Sequence, residues 1–230
     1  MSPDEKDTTA YEFRGQREVH THIYVPRAKK FPFVFATEVL YHPGMDIREL
    51  KRTGWDVVAR LFKDNGACGG CWCMWWRVER GGKLWARCKG AVNRASLKRL
   101  IEQGKVHSML ALDGEEPIGW CTFGPRESFP RLETVKALRR PFGKTTWSVV
   151  CFFIPSRHRG KGVATGLLKA ATERAFELGA SEVEGYPVVP KMKPMPAAFA
   201  WTGVPALFKK CGYRELERPG VSRPIFLTAI

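Results

Sequence analysis

Apolar positions along the chain switch between strand-like and helix-like spacing. Trp147-Ser148-Val149-Val150-Cys151-Phe152-Phe153-Ile154 is β-branched and aromatic, the composition of a buried strand. Beyond a short glycine-rich, basic link, Val163, Leu167, Ala171, Ala175 and Leu178 recur at helical spacing and predict a helix over 163–178. Residues 182–188 read as the next strand. Upstream, the apolar runs 107–112 and 117–123 meet across Asp113-Gly114, a hairpin signal. Trp55, Val58, Leu61 and Phe62 predict a helix that Asn65-Gly66 breaks. Asn93 or Ser96 is the expected cap of a helix reaching Glu102, ended by Gly104.

The remaining stretches are less regular. Residues 71–78 read as an aromatic strand, 83–93 as a basic loop, and 31–40 as a strand, with a short strand also at 22–25. Residues 125–146 are irregular and rich in charge. Pro187, Pro190, Pro194 and Pro196, with Lys191-Met192-Lys193, mark an excursion unsuited to regular structure. Residues 213–216 and 224–230 are closing strands. This order predicts an α/β fold with a mixed sheet.

The chain of 230 residues reads as an N-terminal arm, 1–35, and a folded domain, 36–230. A hydrophobic content of 44% is ample for a core. There is no apolar run of about 18 residues and no secretory leader, so the expectation is a cytoplasmic protein without membrane attachment. Seven cysteines, unevenly placed, argue against a secreted disulfide framework. The formal net charge of +15 attracts anions. Nucleic acid stays open as a partner but is not favoured, since no basic run with interleaved stacking aromatics appears. An oligomer is equally open.

The link Pro155-Ser156-Arg157-His158-Arg159-Gly160-Lys161-Gly162 has the chemistry of a phosphate cradle. Its glycines permit close backbone approach or positive φ. The first N–H groups of the following helix lack intrahelical partners and carry the positive end of the helix dipole. A G-x-x-x-x-G-K-[ST] loop is absent. A G-x-G-x-x-G fingerprint fails too, because Thr165 stands at its third glycine.

Arg157-His158-Arg159-Gly160-Lys161-Gly162 resembles motif A of the GNAT acyl-CoA N-acyltransferases, Gln/Arg-x-x-Gly-x-Gly/Ala, at every defined position. Ala206-Leu207-Phe208-Lys209-Lys210-Cys211-Gly212-Tyr213 resembles that superfamily's late helix and its closing turn. The likeness covers roughly residues 36–230. It implies a mixed, mostly antiparallel central sheet flanked by helices and splayed at the acyl-CoA site. It implies acetyl-CoA as co-substrate and an amine as acceptor. Phe152, Phe153 and Ile154 are then the splayed strand end. Arg159, Gly160, Lys161, Gly162, Val163 and Ala164 are the pyrophosphate cradle. The reaction implied is direct acetyl transfer to an amine, a small molecule by first choice. The alternatives are a protein or RNA-associated acceptor, or a non-catalytic protein binding CoA or zinc and nucleic acid.

Such transfer needs a base for the amine and a proton for the departing thiolate. Glu184 and Tyr186, alternating onto one strand face with Glu182, are the catalytic candidates. Phe208 stands where the resemblance expects a tyrosine acid, which leaves Tyr186, Tyr213, Cys211 or water. His158 reads as a solvated loop residue. Cys68-x-x-Cys71 with Cys73 and Cys88 invites zinc, but a matching partner pair is missing and no metal is expected. The block Cys71-Trp72-Cys73-Met74-Trp75-Trp76-Arg77 also resembles one in a bacterial subgroup of the superfamily. A wall of the acceptor pocket is the role implied for it, and a nucleophilic cysteine there ranks below direct transfer.

Overall fold

The computed structural model describes residues 44–79, 83–190, 199–217 and 223–230. The expected arm 1–35, the strands expected at 22–25 and 31–40, and the centre of the proline excursion lie outside the described residues.

Seven strands form one sheet in the order β1-β2-β3-β4-β5-β7-β6. They are β1 (Met45–Glu49), β2 (His107–Asp113), β3 (Glu116–Pro125), β4 (Thr146–Phe153), β5 (Glu182–Gly185), β6 (Arg214–Glu217) and β7 (Ile225–Ala229). Every neighbouring pair is antiparallel except β4 and β5. The sheet is therefore mixed and mostly antiparallel. The Asp113-Gly114 hairpin forms, with Gly114 at φ +56.

Helices cover both faces. On one lie α1 (Trp55–Phe62), α2 (Lys83–Cys88) and α3 (Ala91–Glu102). Val58, Leu61 and Phe62 of α1 enter a cluster with Trp72, Trp76, Trp120 and Tyr186. On the other lies α5 (Val163–Glu177), whose Val163, Leu167, Ala171 and Ala175 are almost fully buried. Leu178 falls just past the end of α5 and is 37% exposed, so the apolar stripe stops one turn earlier than its spacing suggested. A short α4 (Arg131–Thr134) and two 3-10 turns occupy the charged stretch between β3 and β4. The late helix, α6, spans Pro205–Lys210 with proline in its first turn.

Three local expectations are corrected. The basic stretch after residue 82 contains α2 rather than only loop. Helix α3 begins at Ala91 behind Gly90, and Asn93 does not cap it; its side-chain amide donates to the Gly70 carbonyl at 3.2 Å. Residues 71–78 form successive turns, not a strand. Here Cys71, Met74 and Arg77 N–H groups each donate three residues back at 3.0 Å. Gly66, Ala67, Gly69, Gly70, Trp72 and Cys73 all have positive φ, and a chain coiled that tightly cannot pair in a ladder. Burial of the tryptophans overrides their strand preference.

Candidate functional site

Strands β4 and β5 pair only from Thr146↔Glu182 to Val149↔Gly185. Beyond that point β4 runs on to Phe153 without β5, paired with β3 only. At the parting, β4 carries a bulge: Thr122 pairs with Cys151 and Phe123 with Val149, leaving Val150 as the extra residue. The segment 201–203 enters the opening. The Phe152 N–H donates to the Trp201 carbonyl at 2.7 Å, and the Val188 N–H to the Gly203 carbonyl at 3.0 Å. Of the splayed strand-end residues, Phe152 thus has its N–H engaged by the chain itself.

The link to α5 takes the form its residues dictate. A 3-10 turn over Ser156–His158 is followed by Gly160 at φ +73 and Gly162 at φ +79, the left-handed residue from which α5 starts. No side chain caps α5, so the N–H groups at its start face the link with the positive end of its dipole. Arg157 pairs with Glu116 on β3, and Arg159 Nε donates to the Ile154 carbonyl at 2.8 Å. Lys161 is exposed. This arrangement fits a pyrophosphate. His158 is not solvated: it is 7% exposed, its Nε2 accepts from Arg157 Nε at 2.9 Å, and its Nδ1 is buried without a partner. Burial, with Arg157 beside it, lowers its pKa.

A cavity of about 700 Å³ lies between the C-terminal end of α1, the β2–β3 turn and this link. Arg60, Lys63, Glu115, Glu116, Phe153 and Arg159 are among its walls. The ring of Phe153 meets Phe62 of α1 at 5.5 Å, whereas Phe152 turns the other way, towards Phe208 at 6.4 Å. The strand end thus divides its two phenylalanines between the faces of the sheet. The residues from Gly160 to Ala164 stand outside the cavity walls, while Phe153 and Arg159 are part of them.

Glu184 and Tyr186 are brought together in a buried network. The Tyr186 hydroxyl donates to Glu184 Oε2 and lies 2.8 Å from Ser148 Oγ of β4. Arg126 Nη1 donates to Glu184 Oε2 at 2.6 Å and to the Tyr186 hydroxyl at 2.7 Å. Arg140 holds the other Glu184 oxygen, and donates to Glu182 Oε1 at 2.9 Å. Burial first, then the Glu184 charge, push the Tyr186 pKa well above the usual phenol range. Arg126, in the 3-10 turn just past β3, also donates to Glu133 at 2.8 Å and to the Leu138 carbonyl at 2.9 Å, while its buried Nε has no partner. Sequence reasoning missed Arg126 and Arg140, and no local signal marks them: each is an arginine in an irregular basic stretch.

The aromatic block closes the same side. Trp76 Nε1 donates to the Val150 carbonyl at 2.9 Å. Trp76 packs against Trp201 at 5.5 Å and Tyr186 at 6.3 Å. Trp75 meets Trp85 at 5.1 Å, with the Arg131 guanidinium 3.5 Å over its ring. Phe208 is fully buried. The other candidates for the missing acid are occupied: Tyr213 shares a 2.7 Å hydrogen bond with Thr172, and burial pushes the Cys211 thiol up to about 11.

A family model described as the acetyltransferase (GNAT) family matches residues 63–189, more than half of the chain. No curated protein matches. Among solved structures, an N-acetyltransferase from Staphylococcus aureus Mu50 is 12% identical, covering 80% of this chain and 98% of its own, with a TM-score of 0.49. The PaiA N-acetyltransferase from Thermoplasma acidophilum, in complex with coenzyme A, is 12% identical over 81% and 99%, with a TM-score of 0.48. A ribosomal-protein-alanine N-acetyltransferase from Brucella melitensis is 15% identical over 80% and 99%, also at 0.48.

Proposed function

The chain belongs to the acetyltransferase (GNAT) family and is an acetyl-CoA-dependent acetyltransferase; on that premise we propose that its acceptor is a small amine, attacking the thioester directly. The observation that carries this reading is the cavity beside Phe153. Its volume of about 700 Å³ lies in the range of small-ligand sites, and its wall mixes cations with the Glu115 and Glu116 carboxylates. Arg157 already pairs with Glu116, so Glu115 is the carboxylate that suits a protonated amine, and the cations suit an anionic donor. The backbone from Arg159 to Ala164 holds the pyrophosphate, and the strand end at Phe152, Phe153 and Ile154 lies along the acyl arm. When bound, acetyl-CoA supplies the activated acyl group.

Glu184 and Tyr186 serve proton removal as a pair. Arg126 and Arg140 hold Glu184 as an anion oriented on the phenol. Tyr186 and Glu184 lie buried outside the cavity walls, so a water chain carries the amine's proton to the Tyr186 oxygen as its own proton passes to Glu184 Oε2. No tyrosinate is needed, which fits the raised Tyr186 pKa.

The experiment is release of free CoA thiol across a panel of small amines and of peptides with free N-termini or lysines. Turnover with one or more small amines, at kcat/KM at least about a hundredfold above the best peptide, is expected. Turnover confined to peptides overturns the small-acceptor reading.

A further inference from the structure

The sulfurs of Cys73 and Cys151 lie 3.1 Å apart, both buried, although 78 residues separate them along the chain. Cys151 follows the bulged residue of β4, and Cys73 sits at φ +53 behind Trp72 at φ +48. Two consecutive non-glycine residues in the left-handed region are costly and persist only where the surroundings impose them. Here the imposed turn aims the Cys73 thiol at β4. A disulfide needs about 2.05 Å between sulfurs, so closure asks for a shift of roughly 1 Å, within reach of side-chain rotation. The Trp76–Val150 hydrogen bond fixes the same two segments against each other.

A second observation concerns Arg77. Its side chain is 6% exposed and its Nε has no partner. Burial lowers its pKa to about 10, and the charges that oppose this are those of Cys73 and Cys151. Its guanidinium lies 5.0 Å over the Phe129 ring, and a thiolate formed at either sulfur gains a buried cation as partner. Outward from them come Cys71, half-buried and electrostatically in touch with both, and Cys68, exposed. The glycine turns at Gly69 and Gly70 therefore lead from the surface to the pair.

We propose that Cys73 and Cys151 form a redox modification site that closes to a disulfide when the protein meets a hydroperoxide. One thiol, as its thiolate beside Arg77, attacks the peroxide: an S–O bond forms, the O–O bond breaks, and the hydroxide released becomes water. The second sulfur displaces the hydroxyl from the sulfenic acid, so an S–S bond forms, the S–O bond breaks, and a second water leaves with the remaining thiol proton. The two thiols lose two electrons together and the peroxide gains them. A dithiol reductant reverses the step. Because the hydrogen bond with Cys73, and then burial, raise the Cys151 pKa well above the ordinary thiol value, closure is slow, on the scale of a stress response rather than of turnover. The link ties the Cys–Trp block to β4 one residue from Phe152.

The test treats reduced full-length protein with hydrogen peroxide, blocks remaining thiols by alkylation, and maps peptides by mass spectrometry. The expected result is a two-hydrogen mass loss with residues 73 and 151 cross-linked, cleared by dithiothreitol. Closing so long a loop raises Tm by about 5–10 °C. The Tm gain disappears in Cys151→Ala and survives in Cys68→Ser. Alkylation of both Cys73 and Cys151 after peroxide, or a cross-link confined to Cys68 and Cys71, overturns the proposal. So does a Tm gain that Cys151→Ala retains. None of these readouts depends on the acceptor or on turnover.

Discussion

The Trp76 indole N–H donates to the carbonyl of Val150, the residue that β3 skips within its pairing with β4, at 2.9 Å. Both residues are at most 2% exposed, so the bond is shielded from bulk solvent. Trp76→Phe keeps an aromatic ring and removes the donor. The expected loss is about 1–3 kcal/mol for an unmet buried acceptor, more where the smaller ring leaves a void. Urea unfolding of the two proteins measures it; an unchanged midpoint would show that the bulge stands without its anchor.

Gly162→Asp places a side chain on a residue at φ +79 and a carboxylate where the pyrophosphate is proposed to lie. The strained backbone costs roughly 1–2 kcal/mol, less for aspartate than for a branched residue. The loss of binding is larger. At a hundredfold excess over Kd, acetyl-CoA adds about 2.7 kcal/mol of stability to the parent protein. Melting curves with and without acetyl-CoA are expected to coincide in the variant, with circular dichroism unchanged.

Arg126 and Arg48 both form ion pairs with carboxylates, and their worth differs. Arg126 is 1% exposed, and its Glu184 partner 0%. Arg126→Met leaves the Glu184 charge buried against a phenol and a single arginine, and is expected to cost about 3–5 kcal/mol. Arg48 and Asp46 are 63% and 48% exposed. Water screens that pair, so Arg48→Ala is expected to change stability by less than about 0.5 kcal/mol. Denaturant titrations of the two variants side by side give the comparison.

His158 carries a pH signature. Burial, then Arg157, depresses its pKa in the folded protein below the ordinary value of about 6.5. The unfolded state therefore binds its proton first as pH falls. The histidine contributes fully above the unfolded pKa, and that contribution is lost below it. Tm is expected to fall from pH 7 to pH 5, and His158→Gln to flatten the fall. The slope does not vanish, because burial depresses His107 in the same direction.

Tyr186→Phe separates the two roles given to the inner network. The ring and its packing on Trp76 stay, while the hydroxyl between Ser148 and Glu184 goes. A kcat lower by about 10²–10⁴, with the KM for acetyl-CoA unchanged, is expected of a proton relay. Equal kcat in the two proteins would remove Tyr186 from the chemistry.

The sequence was most readable where one local rule acted alone. Val163, Leu167, Ala171 and Ala175 needed only helical period to be placed, and Asp113-Gly114 needed only turn chemistry. The left-handed glycines at 160 and 162 followed from the same kind of reasoning. The aromatic block resisted because two rules conflicted: tryptophans favour strands, while the glycines before them coil the chain. Nor could any local pattern reveal Arg126 on Glu184, 58 residues away, or Cys73 on Cys151. The first contact arises where the turn after β3 meets β5 across the sheet, the second where the turns of the aromatic block pack on β4, and no window of neighbouring residues contains either.

Gly185, the last residue of β5, has no room for a side chain: a Cβ there would overlap the buried ring of Phe208. The two positions are therefore historically bound. Any lineage that placed this ring at 208 in its present pose had to hold glycine at 185, and cannot enlarge 185 without first moving the ring. Covariation between these positions among descendants of one ancestor should record which change came first.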